Sequence, residues 1–371
     1  MALGYEGLLD AYRKEVDLNH SLHARLQAVH GRVKVLCRVK PAVNAAASCV
    51  SFPEVRGWGR MEAKRRSNLV AVAHRETTWR KEPLLATKVF SFHRVLRPHA
   101  KQSDVFRAVD ESLQGRGATL FLFGQPGAGK AFTLLGPRLH PLGDPAADPA
   151  AQIAEACGTG GCAGILPRLL HRLLSGGGAT AELSVAEVYL ESVRDLVDGG
   201  MELRGAEAPR LCEVRTLAAA MELLLAALAR RSVAPDAAGR PVPRSHLVVR
   251  ARARTGDRAV TVVDLAASEN VKETRAAGRR FQEAVSINRS LSALGRVLEL
   301  TAGGCEHVPF REARLTHLLR DDLVGGAEIQ FLVCLAAEDS EGSLKTLAFA
   351  QRLQSLGLNW QESPHGARCY Y

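Results

Sequence analysis

Gly124-Gln125-Pro126-Gly127-Ala128-Gly129-Lys130-Ala131 is the stretch of this chain best equipped for chemistry. It has the form Gly-x-x-x-x-Gly-Lys, preceded by the strand-like run Thr119–Phe123 and followed by the helix-compatible Phe132-Thr133-Leu134. Glycines let backbone N–H groups wrap phosphate oxygens, a helix that follows turns its N-terminus to them, and a lysine reaches the terminal phosphates. The pattern predicts a nucleoside-triphosphate cradle. Such loops end in Ser or Thr because the hydroxyl coordinates Mg²⁺, and here that position is Ala131. Losing a contact to a charged group costs about 1.5–3 kcal/mol, so binding of Mg·ATP or Mg·ADP is expected to be weakened rather than abolished. A second candidate is Asp264, which follows the apolar pair Val262-Val263 as a carboxylate that holds the metal through water should.

These residues need elements to position them. Short β-branched runs at Thr119–Phe123, Leu183–Tyr189, Leu247–Ala253, Ala259–Asp264 and Ile329–Leu335 alternate with helical patterns. The helical candidates are Gln102–Gln114, Ile165–Leu174, Leu217–Arg230, Phe281–Leu300 and Ser343–Leu356. This alternation predicts an α/β fold with a central, mostly parallel sheet covered by helices on both faces. Residues 5–30 carry Leu18, Leu22, Leu26 and Val29 on one helical face, too short a run to establish a heptad pattern. A strand-like run, Val33–Val39, follows. The Pro/Gly/Ala-rich segment between Gly136 and Gly164 reads as a long loop insert, and residues 359–371 read as a tail.

Composition narrows the classes. With 46% hydrophobic and 24% charged residues the chain is that of a globular protein, and 49 Lys+Arg against 39 Asp+Glu give a net charge of +10. That excess favours a polyanionic partner. The eight cysteines form no Cys-x-x-Cys pair and read as reduced thiols in an intracellular protein. No stretch reads as a secretory leader or a membrane span, so no membrane is expected. Nucleic acid is disfavoured, because no aromatic-interleaved basic groove or known module accompanies the charge.

Read with its surroundings, the segment "FLFGQPGAGKAFTLLG" resembles the phosphate loop of kinesin motor domains. Cys37-Arg38-Val39-Lys40-Pro41 resembles the first-strand Arg-x-Arg-Pro motif that packs on adenine in that family, with Lys40 in place of the second Arg. "VAEVYLESVRDLV", "SINRSLSALGRVLEL", "HVPFREARLTHLLRDDLVGG" and "SLKTLAFAQRLQSL" are similar, in order, to later kinesin segments, so the likeness runs from about residue 31 to 358. The stretch "LHARLQAVHGRVKVLCRVKP" resembles the neck helix and first strand of the C-terminal-motor, minus-end-directed class. The resemblance implies the P-loop NTPase-type motor fold over 31–358, with an insert near 137–163 and a neck-like helix over 1–30 that could bring a dimerisation partner through residues 5–30. It implies microtubules as the partner and the cytoplasmic microtubule cytoskeleton, spindle included, as the location. It also implies that Arg38, Pro41, Gly124, Gln125, Pro126, Gly127, Ala128, Gly129, Lys130, Ala131 and Phe132 surround the nucleotide.

The family's two γ-phosphate switches are altered. The first normally reads Asn-x-x-Ser-Ser-Arg-Ser-His; here Gly239–His246 keeps Arg244-Ser245-His246 but has Val242 and Pro243 where the two serines stand. The second normally reads Asp-Leu-Ala-Gly-Ser-Glu, and here Ala267 replaces the glycine between Asp264 and Glu269. The resemblance implies that Arg244 and Glu269 latch the switches together. Removing one preorganised group aimed at transition-state charge typically costs about 10²–10³ in rate, so changes at Ala131, Val242/Pro243 and Ala267 predict weak or absent hydrolysis. The alternative is a working microtubule-stimulated ATPase that uses backbone groups or water in their place. Nine Lys/Arg between Asn270 and Arg320 fall on the elements that kinesins lay against tubulin, and Lys272, Arg289, Arg311 and Arg314 are the candidate contacts.

Overall fold

The computed structural model describes residues 33–53, 68–77, 83–111, 117–137, 156–157, 161–175, 180–204, 207–235, 241–254, 259–267, 278–324 and 327–358. The expected helix at 5–30 and the tail at 359–371 lie outside the described residues. Among the described residues, fifteen strands form three sheets. The main one contains β1 (Val33–Lys40), β5 (Arg94–Leu96), β6 (Gly117–Gly124), β7 (Ala181–Tyr189), β8 (Ser192–Asp195), β9 (Met201–Leu203), β10 (Cys212–Val214), β13 (His246–Ala253), β14 (Ala259–Asp264) and β15 (Glu328–Ala336). A small lobe is built from β2 (Val50–Ser51), β3 (Leu69–Thr77) and β4 (Pro83–Ser91), and a hairpin from β11 (Val233–Pro235) and β12 (Pro241–Pro243).

The main sheet runs β5-β1-β15-β6-β14-β13-β7-β8-β9, with β10 paired to β7. The expected parallel arrangement holds from β5 to β14. Beyond β14 the pairing is antiparallel, so the sheet is mixed. The reason is connection length. Strands joined by short turns, such as β7 and β8 or β13 and β14, can only return antiparallel.

Both faces of the sheet are covered. In β6, Leu120 and Leu122 point to one core while Phe121 and Phe123 point to the other, the two-residue alternation of a strand buried on both sides. The first core is closed by helices α1 (Gln102–Asp110), α3 (Ile165–Leu174) and α4 (Leu217–Ala229). The second is closed by α5 (Arg279–Ala302), α6 (Arg314–Leu318), α7 (Arg320–Val324) and α8 (Ser340–Leu358). Phe121 stacks on Phe331 of β15 with ring centroids 4.7 Å apart, fixing the centre of this layer.

α2 (Lys130–Leu135) follows the phosphate loop directly and ends at Gly136, whose φ of 90° breaks the helical path. The chain re-enters as α3 from Gly164. A Cβ on Gly164 would lie 2.5 Å from the Gly136 nitrogen, so the expected insert leaves and returns at one narrow root.

Candidate nucleotide site

β6 delivers its last residue, Gly124, at φ 153°, so close to β15 that a Cβ there would sit 2.1 Å from the Cys334 carbonyl oxygen. Gly127 (φ 75°) and Gly129 (φ 86°) take left-handed conformations that side chains disfavour. The loop therefore needs glycine at all three positions. The Lys130 ammonium folds back onto it, donating to the carbonyl oxygens of Gly124 (2.7 Å) and Gln125 (3.1 Å). Burial pulls its pKa down while Asp264 holds it up.

The other predicted residues divide. Arg38 of β1 donates to Gln102 Oε1 (2.8 Å) and Thr133 Oγ1 (2.7 Å), and its guanidinium lies 5.5 Å from the centre of the half-exposed Phe132 ring. Lys40 reaches the Gly127 carbonyl oxygen (3.2 Å), so the residue replacing arginine touches the loop itself. Pro41 follows it, exposed at the end of β1. Pro126 and the buried Ala128 flank exposed Gly127, with the Ala128 N–H donating to the Gln125 carbonyl. The Gln125 side chain turns away: it is buried, and its Nε2 donates to Ser343 Oγ of α8 (2.9 Å). Its contribution to the cradle is its backbone. Ala131 is exposed at the start of α2. The nearest hydroxyl along the helix, Thr133, donates to the Gly129 carbonyl and accepts from Arg38, so it does not substitute.

A residue that the motifs did not single out governs the switch region. Arg231, just past α4, donates to Asp264 Oδ2 (2.7 Å) and to the Ser245 carbonyl oxygen (2.8 Å), with both members of the ion pair almost wholly buried. Such a pair is retained only because each charge answers the other. Two arginines in tandem after a helix, Arg230-Arg231, were the only sequence signal. Asp264 Oδ1 is buried and has no hydrogen-bond partner among the described residues. Beside it, His246 Nδ1 accepts the Ala266 N–H (3.2 Å), which leaves the proton on Nε2. Burial, reinforced by Arg231, pushes its pKa down to about 3.

Val242 and Pro243 lie in β12, paired with β11. Arg244 is buried and donates to the Pro235 carbonyl oxygen (3.1 Å). Glu269, its expected latch partner, and Lys272 lie outside the described residues. Ala267 is buried, and among the described residues only Leu190 is a non-glycine with positive φ, so Ala267 sits in a conformation alanine tolerates.

The cradle fits a nucleotide's phosphates. A metal fits less well: the loop offers a methyl group, one Asp264 oxygen is committed to Arg231, and only Oδ1 is left to hold an ion through water. Away from the phosphate loop itself, Arg289 pairs with Glu191 (3.3 Å) and Arg314 Nε donates to the Glu191 carbonyl oxygen (3.1 Å). Arg289, Arg311 and Arg314 are all exposed, on α5, the turn after it and α6. Arg289 and Arg314, which meet at Glu191, form one basic face.

The sequence profile of the kinesin motor domain matches residues 54–356. Kinesin-like protein KIFC1 of Rattus norvegicus is 31% identical over 380 aligned positions, covering 90% of this chain and 52% of the relative. KIN-14Q of Oryza sativa subsp. japonica is 31% identical, covering 94% and 37%, and KIFC1 of Homo sapiens 31% identical, covering 90% and 54%. The chain therefore spans about half the length of these relatives or less. Among solved structures, a KIF14 dimer in the two-heads-bound state with AMP-PNP, in complex with a microtubule, superposes with TM-score 0.65 at 22% identity, over 87% of this chain and 93% of that one. KIF14 with ADP in complex with a microtubule gives 0.63 at 21% identity, over 91% and 99%.

Proposed function

The chain belongs to the kinesin family, and from that premise we propose that it is a microtubule-binding motor domain of the minus-end type that holds ATP or ADP but hydrolyses ATP weakly or not at all. The observation that carries this is the mismatch inside one site. The phosphate cradle is complete, with Gly124, Gly127, Gly129 and Lys130 in place. The metal-facing positions are not, with Ala131 at the loop's end and Asp264 paired to Arg231. Kinesin-14 proteins among the relatives support the minus-end class. The solved neighbours carrying AMP-PNP or ADP on a microtubule support nucleotide and tubulin as ligands.

The exposed Arg289, Arg311 and Arg314 would meet the acidic tubulin surface, with Lys272 beside them, and residues 5–30 would pair the domain with a second chain. We place it on the cytoplasmic microtubule cytoskeleton. The working-ATPase alternative draws support from Asp264 Oδ1, an acceptor still open to a metal-bound water.

Co-sedimentation with microtubules tests the shared part of both readings. Screening lengths shrink from about 10 Å at 0.1 M salt to about 3 Å at 1 M, so binding should be strong at low salt and lost at high salt. A double substitution, Arg289→Ala with Arg314→Ala, should weaken low-salt binding further. No binding at low salt would remove microtubules as the partner.

A further inference from the structure

The geometry points to a dithiol in the root of the insert, Cys157 and Cys162, that forms a reversible intrachain disulfide by exchange with a low-molecular-weight disulfide such as oxidised glutathione. It is separate from the nucleotide reading and depends on no part of it. Three observations bring the two cysteines together. The Ala163 N–H donates to the Ala156 carbonyl oxygen (3.0 Å), closing a loop in which Cys157 and Cys162 are the next residues inward from either side. Gly161 comes so near that a Cβ on it would lie 2.0 Å from that same oxygen. The buried Arg168 of α3 then gathers both sides of the loop on one guanidinium, donating to the carbonyl oxygens of Cys157 (2.5 Å), Gly161 (2.8 Å) and Ala163 (2.9 Å). Its plane also lies 5.9 Å from the Phe106 ring centre, which fixes the clamp to α1.

The two thiols have different surroundings, which assigns their roles. Cys162 is exposed, whereas Cys157 is half-buried and packs on the core. Burial pushes the Cys157 thiol up, Arg168 pulls it back down, and the neighbouring Cys162 adds to the rise. The exposed thiol is the one that meets an oxidant. Cys162 gives its proton to solvent and its thiolate attacks one sulfur of oxidised glutathione. That S–S bond breaks, one glutathione thiolate leaves, and a mixed disulfide remains. The Cys157 thiolate attacks the Cys162 sulfur and expels the second glutathione. The protein loses two electrons and two protons, and two glutathione thiols are produced. The other buried cysteines, Cys37 and Cys334, have no such access. The staple would close where α2 and α3 meet, one helix from the phosphate loop.

Tryptic residues 139–168 carry both cysteines and no others. The full chain is equilibrated in buffers of reduced and oxidised glutathione, quenched by alkylation and read by peptide mass spectrometry. The expected product is this peptide, unalkylated and lighter by two hydrogens. It should appear at glutathione-disulfide ratios at least about tenfold below those that modify exposed Cys305, because the second thiol is already present at high effective concentration. Cys157→Ser should instead trap glutathione on Cys162, and excess reduced glutathione should reverse both. Wild-type chain that accumulates glutathione on Cys162 as the Ser variant does would overturn the inference. So would a peptide that stays doubly alkylated while Cys305 reacts.

Discussion

Position 131 lies at the exposed start of α2, directly after Lys130 of the phosphate loop. Ala131→Ser returns a hydroxyl there without lengthening the side chain beyond what the exposed position accepts. A ligand contact to a charged centre is worth about 1.5–3 kcal/mol, so ADP affinity in the presence of Mg²⁺ should rise by about tenfold or more, with no change in EDTA. Titration of both proteins under the two conditions checks this, and an equal change with and without metal would contradict it. His246 supports a second prediction. Its folded pKa, about 3, lies below the ordinary value of 6.5, so the folded state binds fewer protons than the unfolded state between these limits. Stability is therefore complete above pH 6.5 and falls as pH drops toward 3, by up to about 1.4 kcal/mol per pH unit. Urea midpoints should decline across that window. His246→Asn, which can still accept the Ala266 N–H, should flatten the decline.

At the scale of elements, the turn between β7 and β8 stores strain. Leu190 has φ 52°, a left-handed conformation that costs a non-glycine residue about 1–2 kcal/mol. The turn presents Glu191 to Arg289 and Arg314, joining the basic face to the sheet. Leu190→Asn should raise the unfolding free energy by about 1 kcal/mol, since asparagine tolerates this region. Chemical denaturation checks the gain, and a loss would mean that Leu190 contributes more packing than it costs in strain. Leu190 also marks the limit of sequence reading. The phosphate loop was legible because its chemistry is local: glycines, lysine, strand and helix within a score of residues. The central strands were legible from β-branched runs, and α5 and α8 proved longer at both ends than their apolar periodicity implied. The Arg231–Asp264 pair was not legible, because 33 residues and a hairpin separate its members and only the fold joins them. In the antiparallel half, β7 and β13 were legible as apolar runs, whereas β8, β9 and β10 are too short to show a period.

Across the whole molecule, a kinesin-family fold carries a site that keeps its phosphate cradle and lacks the loop hydroxyl for a metal. α5, the helix that carries Arg289, starts beside the switch residues: Arg279 donates to Tyr189 Oη, which itself donates to Glu283 (2.7 Å). In the proposed function α5 would link nucleotide to microtubule, while Ala131 and the Arg231–Asp264 pair reduce the groups that would drive it chemically. Microtubule-stimulated phosphate release from the purified domain, with ATP and Mg²⁺ in excess, addresses this most directly. Ordinary enzymes turn over at about 10 per second, and this domain should remain below about one-tenth of that with saturating microtubules while still sedimenting with them. Release above about one per second, a tenth of that ordinary rate, would show that backbone groups or water replace the lost side chains, and would contradict the account.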